Sequence, residues 1–253
     1  MRKPLIAALT ALMALALTAV AIAQNPAPSI DVTATVSPTK AGTKKKPKSE
    51  KVNLTIINSK ESKTSASKIE ITFPANLKLS TKGLKTCSVS KLDNQGKASC
   101  PKGSLAGLGT AEALLNPTSA NPAPLKFNVS TFVAGKNLLA FYLEQQGTDS
   151  GVQQALPAKI TKVRGNKVFG QKLTINIPEN LQQPAPGVYS ALIQIKNSLG
   201  LKSGKHALVK SIGCPKTREH PIGVKVSYVP NPNPPVSSSA SSTDGAPCSG
   251  KAL

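Results

Sequence analysis

Four cysteines, Cys87, Cys100, Cys214 and Cys248, are the side chains of this 253-residue chain best suited to chemistry. A thiol can serve as nucleophile, metal ligand or half of a disulfide. Their even number, in a chain that opens with an export leader, reads as two structural disulfides. Three connectivities are open. The economical one joins Cys87 to Cys100 around a polar loop, and Cys214 to Cys248 around a Ser-rich tail; a Cys87–Cys214 link would overturn it. His206 and His220 flank Cys214 and could in principle join it on zinc, but an oxidising compartment favours the disulfide. Thr148-Asp149-Ser150-Gly151 carries the Asp-Ser-Gly of a serine-protease motif without the preceding glycine, and both histidines follow it in the wrong order. Eleven carboxylates are scattered along the chain, with no spacing that commits two of them to one site. The residues therefore assign no catalytic side chain, no metal and no cofactor.

The leader has three parts in order: Arg2 and Lys3, an apolar run from Leu5 to Val20, and the small-x-small triplet Ala21-Ile22-Ala23. It predicts removal of residues 1–23 and a mature start near Gln24. No later stretch is long and apolar enough to cross a bilayer as a helix. A secreted or envelope-associated, extracytoplasmic location follows.

Loss of Arg2 and Lys3 lowers the formal net charge of +21 by two, to +19. The densest run is Lys40, Lys44, Lys45, Lys46, Lys48 and Lys51, interrupted by Gly42 and Pro47. Such a run reads as a solvated linker. Its functional reading is salt-sensitive, sequence-blind contact with a polyanion outside the cytoplasm: envelope polymers, lipid headgroups or extracellular DNA. The chain has no Trp, three Tyr and five Phe, and most of these rings fall in apolar strand patterns. That disfavours the ring-stacking platforms of single-strand and sugar binders. Sequence-specific nucleic acid is not expected as a partner.

The elements that must hold these residues are strands. Ile30-x-Val32-x-Ala34-x-Val36, Val52-x-Leu54-x-Ile56, Ile69-x-Ile71-x-Phe73, Leu125-x-Phe127-x-Val129, Leu173-x-Ile175-x-Ile177 and Val224-x-Val226-x-Tyr228 alternate apolar and polar residues with period two. Further strands are expected near 109–115, 137–144, 156–163, 187–195 and 205–212, and at most a short helical turn after Cys87. About eleven strands punctuated by Pro and Gly predict an all-β, disulfide-stapled sandwich, immunoglobulin-like or jelly-roll-like. The expected divisions are the leader at 1–23, a strand and Lys-rich linker at 24–50, the β-sandwich region at 51–229, and a Pro/Ser-rich tail at 230–253 tethered by Cys248. Ile71-Thr72-Phe73-Pro74-Ala75-Asn76-Leu77 echoes Ile175-Asn176-Ile177-Pro178-Glu179-Asn180-Leu181. Strand-end chemistry alone would produce the echo; duplication would instead give two related halves near 30–134 and 135–230.

Phe73-Pro74, Gly83, Cys87-Ser88, Cys100-Pro101, Gly103-Ser104, Gly107 and Gly109 form a pattern, with Cys214-Pro215 and Cys248-Ser249 later. Over roughly residues 67–250 the chain resembles a group of exported actinobacterial proteins. The resemblance implies a β-rich secreted protein with the Cys87–Cys100 and Cys214–Cys248 pairing, and no activity. The lysine content departs from that group. Gly103, Gly107 and Gly109 read as turn or bulge positions.

The expected function is that of an exported, non-enzymatic β-sandwich protein contacting anionic partners at the cell envelope or outside it. A secreted hydrolase with a site assembled from scattered residues, and a passive module of a surface assembly, are the alternatives.

Overall fold

The computed structural model describes residues 28–59, 64–147, 151–229, 231–232, 235–236 and 238–252. The leader and the Thr148-Asp149-Ser150 motif lie outside the described residues. In chain order the strands begin β1 (Ile30–Ser37), β2 (Lys48–Ser49), β3 (Lys51–Asn58), β4 (Ala66–Pro74) and β5 (Leu77–Leu79), followed by helix α1 (Val89–Gln95). Then come β6 (Leu105–Leu115), β7 (Ala123–Gly135), β8 (Leu138–Gln145), β9 (Gln153–Lys162), β10 (Phe169–Asn176) and helix α2 (Glu179–Gln182). The chain closes with β11 (Ser190–Leu199), β12 (Lys202–Ser203), β13 (His206–Ala207), β14 (Val209–Ser211), β15 (Glu219–Tyr228), β16 (Asn231–Pro232), β17 (Pro235–Val236) and β18 (Ser239–Pro247).

The all-β expectation holds, but the large sheets are one rather than two. Eleven strands form a single sheet in the order β1-β3-β11-β6-β7-β8-β9-β10-β4-β15-β18, antiparallel at each step. The sheet curls until its two outer strands meet, giving a barrel-like body. With eleven alternating strands, the first and last run the same way, so the seam is parallel. It is joined by a parallel bridge between Lys40 and Ser249, and the Asp244 carboxylate accepts from the Ala34 N–H at 2.7 Å.

Period-two patterning explains the interior. Val52, Leu54, Ile56, Ile69, Ile71, Phe73, Val129, Phe141, Leu156, Leu173 and Ile175 belong to one buried cluster inside the wall. The curl buries one face of each strand and brings the two sheet edges, β1 and β18, against each other. β11 lies between β3 and β6, and β4 between β10 and β15, so strands of the two suggested halves interleave in one sheet. The echoed segments end β4 and β10, which are antiparallel neighbours, so their Pro-x-Asn-Leu ends point to opposite ends of the barrel.

The outer face of β7, β8 and β9 carries a second, smaller core. Phe132, Ala140, Tyr142 and Ala155 pack against Leu92 of α1 and Cys87. Ser88 caps α1 by accepting from the Lys91 N–H at 3.2 Å. The Cys87–Cys100 bridge, with Cα atoms 5.4 Å apart, clips this loop onto the barrel wall.

Gly107 lies at an irregularity in the β6–β7 register. Together with Gly109 it also allows β11 to approach: an added Cβ would stand 1.7 Å from the Ser198 carbonyl oxygen at Gly107, and 2.0 Å from that of Lys196 at Gly109. No side chain fits there, which gives the glycine spacing of the motif a physical reason.

The tail departs most from expectation. Residues 239–247 are not a tethered linker but a full barrel strand, paired with β15 from Glu219↔Pro247 to Ser227↔Ser239. Only Ala240 and Ala246 of its side chains are deeply buried, so no apolar alternation announces it.

Candidate functional site

Because every step of the sheet is antiparallel, the connections sort cleanly between two ends of the barrel. Segments 38–50, 75–104, 136–137, 163–168, 200–218 and 248–252 leave and return at one end. They hold twenty Lys and Arg against two carboxylates, Glu50 and Asp93. At the opposite end the described connecting residues hold no Lys or Arg and one carboxylate, Glu179. The eleven barrel strands carry eight Lys against six carboxylates. The excess charge of the described residues is thus concentrated at one pole. Lys91 and Lys97 of this set lie along the flank with α1, where Lys97 pairs with Glu144.

The lysine run is part of that pole and is built into it. Ala41 and Gly42 are buried, the Ala41 N–H donates to the Ser249 carbonyl at 2.9 Å, and the Gly42 N–H donates to Ser211 Oγ at 2.8 Å. The Thr43 N–H donates to the Lys46 carbonyl, and Thr43 Oγ1 accepts from the Lys46 N–H, making a tight turn with Lys44 and Lys45 exposed on it. β2 then pairs with β14, which pairs with β5, and this three-stranded sheet caps the barrel end over Leu77, Leu79, Leu208 and Val209. The stretch read as a solvated linker is therefore a folded cap. Lys40, Lys44, Lys45, Lys46 and Lys51 remain exposed; Lys48 is half-buried and donates to the Lys40 carbonyl at 3.0 Å.

A depression of about 460 Å³ opens on this cap, lined by Thr43, Lys44, Lys45, Ile212, Lys251 and Ala252. Among the described residues, three ammonium groups and no carboxylate line it. Lys251 was not singled out in the sequence, because it belongs to a tail whose path depends on the Cys214–Cys248 bridge. That bridge spans a Cα–Cα distance of 5.9 Å and packs with Ala41.

Glu50 sits beneath the cap, 3% exposed. Burial raises its carboxyl above the ordinary carboxylate range, against the opposing effects of the Ser211 hydroxyl donating to it and of nearby Lys48. Its second oxygen, Oε2, has no hydrogen-bond partner. The folded state therefore favours the protonated acid, and stability falls as pH rises from the ordinary carboxylate value through the raised one. Glu50→Gln should raise the melting temperature at pH 7 by a few degrees and flatten the pH dependence in that window. A lower melting temperature at pH 7 in thermal melts would contradict this reading.

No family model, curated protein or solved structure matches this chain.

Geometry therefore carries the argument. His220 is buried beside Asn76, whose Nδ2 donates to its Nδ1 at 2.9 Å, and Cys214 is bonded to Cys248. His206 packs its ring over Gly83. The three do not assemble, and the described residues contain no group of three potential metal ligands. A shallow depression of about 480 Å³ on the outer wall is floored by Phe169, Gly223 and Thr72 and flanked by Lys162, Lys172 and Lys225. Its one carboxylate, Glu70, accepts from Lys172 Nζ at 2.6 Å. That hydrogen bond holds Glu70 below its usual range, which makes it an ionised partner rather than a proton donor.

Both disulfides connect the cysteine pairs expected as economical, and their presence suggests an oxidising, extracytoplasmic environment.

Proposed function

We propose that the protein is exported and acts at the cell envelope as a non-catalytic binding barrel, holding an anionic envelope polymer or lipid headgroup layer against its basic pole. The supporting observation is the charge partition: twenty cations in the connections of one end, none among the described connecting residues of the other. A rigid barrel with a fixed cap presents these ammonium groups together, so their fields add over a surface rather than being averaged along a mobile linker. The leader of residues 1–23 and the two disulfides support an extracytoplasmic setting. Side-chain ammonium groups bind phosphate and carboxylate arrays without reading their sequence, and such contacts weaken as salt displaces the protein.

The test is co-sedimentation with phosphatidylglycerol vesicles, phosphatidylcholine vesicles and an anionic wall glycopolymer at rising salt. Binding should favour the anionic partners and fall by at least tenfold between about 50 and 500 mM salt. Lys44→Glu, Lys45→Glu and Lys251→Glu combined should weaken it at least tenfold. A control carrying Lys126→Glu and Lys196→Glu on the barrel wall should bind nearly as well as the parent. Equal binding to phosphatidylcholine, indifference to salt, or equal loss in the control would overturn the proposal. The vesicle and glycopolymer arms distinguish headgroup from polymer.

A further inference from the structure

At the end opposite the cations the described connections carry no Lys or Arg. There the barrel opens into a cavity of about 120 Å³ walled by Ala113, Leu125, Phe127, Leu143, Leu156 and Ile195. A second space of about 60 Å³ continues inward, sharing Leu143, Leu156 and Ile195 with the first. Protein interiors are close-packed, and apolar space of this size is destabilising unless apolar atoms fill it. An engineered apolar cavity of about 150 Å³ stays dry and takes up benzene, so the size suits one aromatic ring or a short alkyl chain.

The mouth is built rather than ragged. α2 and the residues after it roof the cavity with Leu181, Asn180 and Pro184. The roof is fastened at its feet: Ser65 Oγ donates to the Gln182 carbonyl at 3.1 Å, and Ser190 Oγ donates to the Leu181 carbonyl. Across the opening, Asn180 Nδ2 donates to Gln154 Oε1 of β9 at 3.0 Å, an exposed contact. Leu125, Leu181 and Leu192 are only half-buried at this rim although they pack against the core, and Leu115 is half-buried beside them. The polar groups within reach are neutral amides and hydroxyls, and Glu179 is the one charged residue among the described connecting residues of this end.

We propose that this end of the barrel binds a small uncharged apolar molecule, with Asn180 bonded to Gln154 as the strap across its entrance. Among the described residues, the cavity lining holds no charged side chain to pair with a carboxylate or phosphate head buried in it, which favours an uncharged ligand. The site is independent of the basic pole, and ionic strength separates the two.

The experiment is a titration of the exported chain with fluorobenzene, an uncharged single-ring probe matched to the cavity, its binding read by fluorine NMR. Saturable one-site binding with a micromolar dissociation constant is expected, unchanged between about 50 and 500 mM salt, a range in which contacts to ammonium groups weaken steeply. Octan-1-ol should displace fluorobenzene at least tenfold more effectively than octanoate. Ala113→Phe, which fills the mouth, should weaken binding at least tenfold. Ala113→Leu should give a smaller loss, and keeps the test alive if the larger side chain disturbs folding. Both are to be compared at a matched melting transition. Non-saturable binding, octanoate competing as well as octan-1-ol, or full affinity in a folded Ala113→Leu and Ala113→Phe pair would overturn the proposal.

Discussion

Replacing Cys214 and Cys248 together by Ser is expected to lower the unfolding free energy by roughly 3–4 kcal/mol, the chain-entropy value for a loop of this length. The bridge closes a segment of 34 residues that contains β15 and β18, the pair that brings the sheet round to β1. Immediately beyond it, the Ser249 N–H donates to the Thr39 carbonyl at 2.8 Å, and the Ala41 N–H donates to the Ser249 carbonyl at 2.9 Å. The Cys214 N–H donates to the Lys251 carbonyl, and Arg218 reaches the Gly250 carbonyl at 2.8 Å. Releasing the sulfurs frees this lacing, so the variant should also lose amide-exchange protection along β18 and at 39–41 before the rest of the barrel. Urea titration and hydrogen exchange measure the two effects. A loss below about 1 kcal/mol, well under the entropic value, would show that the seam holds without its staple. The Cys87–Cys100 bridge closes only 13 residues on the outer wall. Its removal should expose α1 and leave exchange within the barrel interior unchanged.

Acidification is expected to destabilise the protein by roughly 3 kcal/mol between pH 6.5 and pH 4 through His220 alone, the free energy of moving its protonation by that interval. The ring is 1% exposed, and burial pushes its pKa down to about 4 from an ordinary value of 6.5. Asn76 Nδ2 also donates to the Gly213 carbonyl, and its bond to His220 Nδ1 requires that nitrogen to accept, which places the imidazole proton on Nε2. As pH falls below 6.5 the unfolded chain takes up a proton that the folded chain refuses until about pH 4. The stability is full above 6.5 and is progressively lost on the way down. The raised Glu50 acts in the opposite sense as pH rises above the ordinary carboxylate value, so the slope is to be read in a Glu50→Gln background. Urea titrations in this interval should show the slope in that parent and lose it in His220→Gln, whatever that variant costs at pH 7. An unchanged slope in the variant would remove His220 as the cause.

The sequence made the wall of the barrel legible and left its closure hidden. Wherever one strand face is apolar and the other polar, as at Ile69-Glu70-Ile71-Thr72-Phe73, period-two patterning marked the strand. β18 escaped because a strand at the seam needs only small inward residues. Ala240 and Ala246 suffice, and Ser, Thr, Asp, Gly and Pro fill the other positions, a composition shared with linkers. Without that strand, two packed sheets and one rolled sheet present the same alternation. The lysines show the complementary limit. Their number was plain, and the run from Lys40 to Lys51 was visible because it is contiguous. The pole itself is assembled from six connections that meet only once strand order is known. α2 has four residues and follows Pro178, too short to leave a helical period. The apolar mouth that it roofs joins residues from distant strands, which no local pattern links.

The parallel seam also imposes an order of events on the chain. Ala34 and Asp244 meet across 210 positions, so the strand made first cannot find its last neighbour until nearly all the rest has been delivered. Loop-closure entropy makes such distant pairing slow, and until it forms both outer strands display unpaired backbone. Until then the barrel exists only as an open sheet with two raw margins. Completion of the sheet therefore waits for the arrival of residues 239–252, and the Cys214–Cys248 bond, which ties the end of the last strand to the segment just before β15, can form only once they are present.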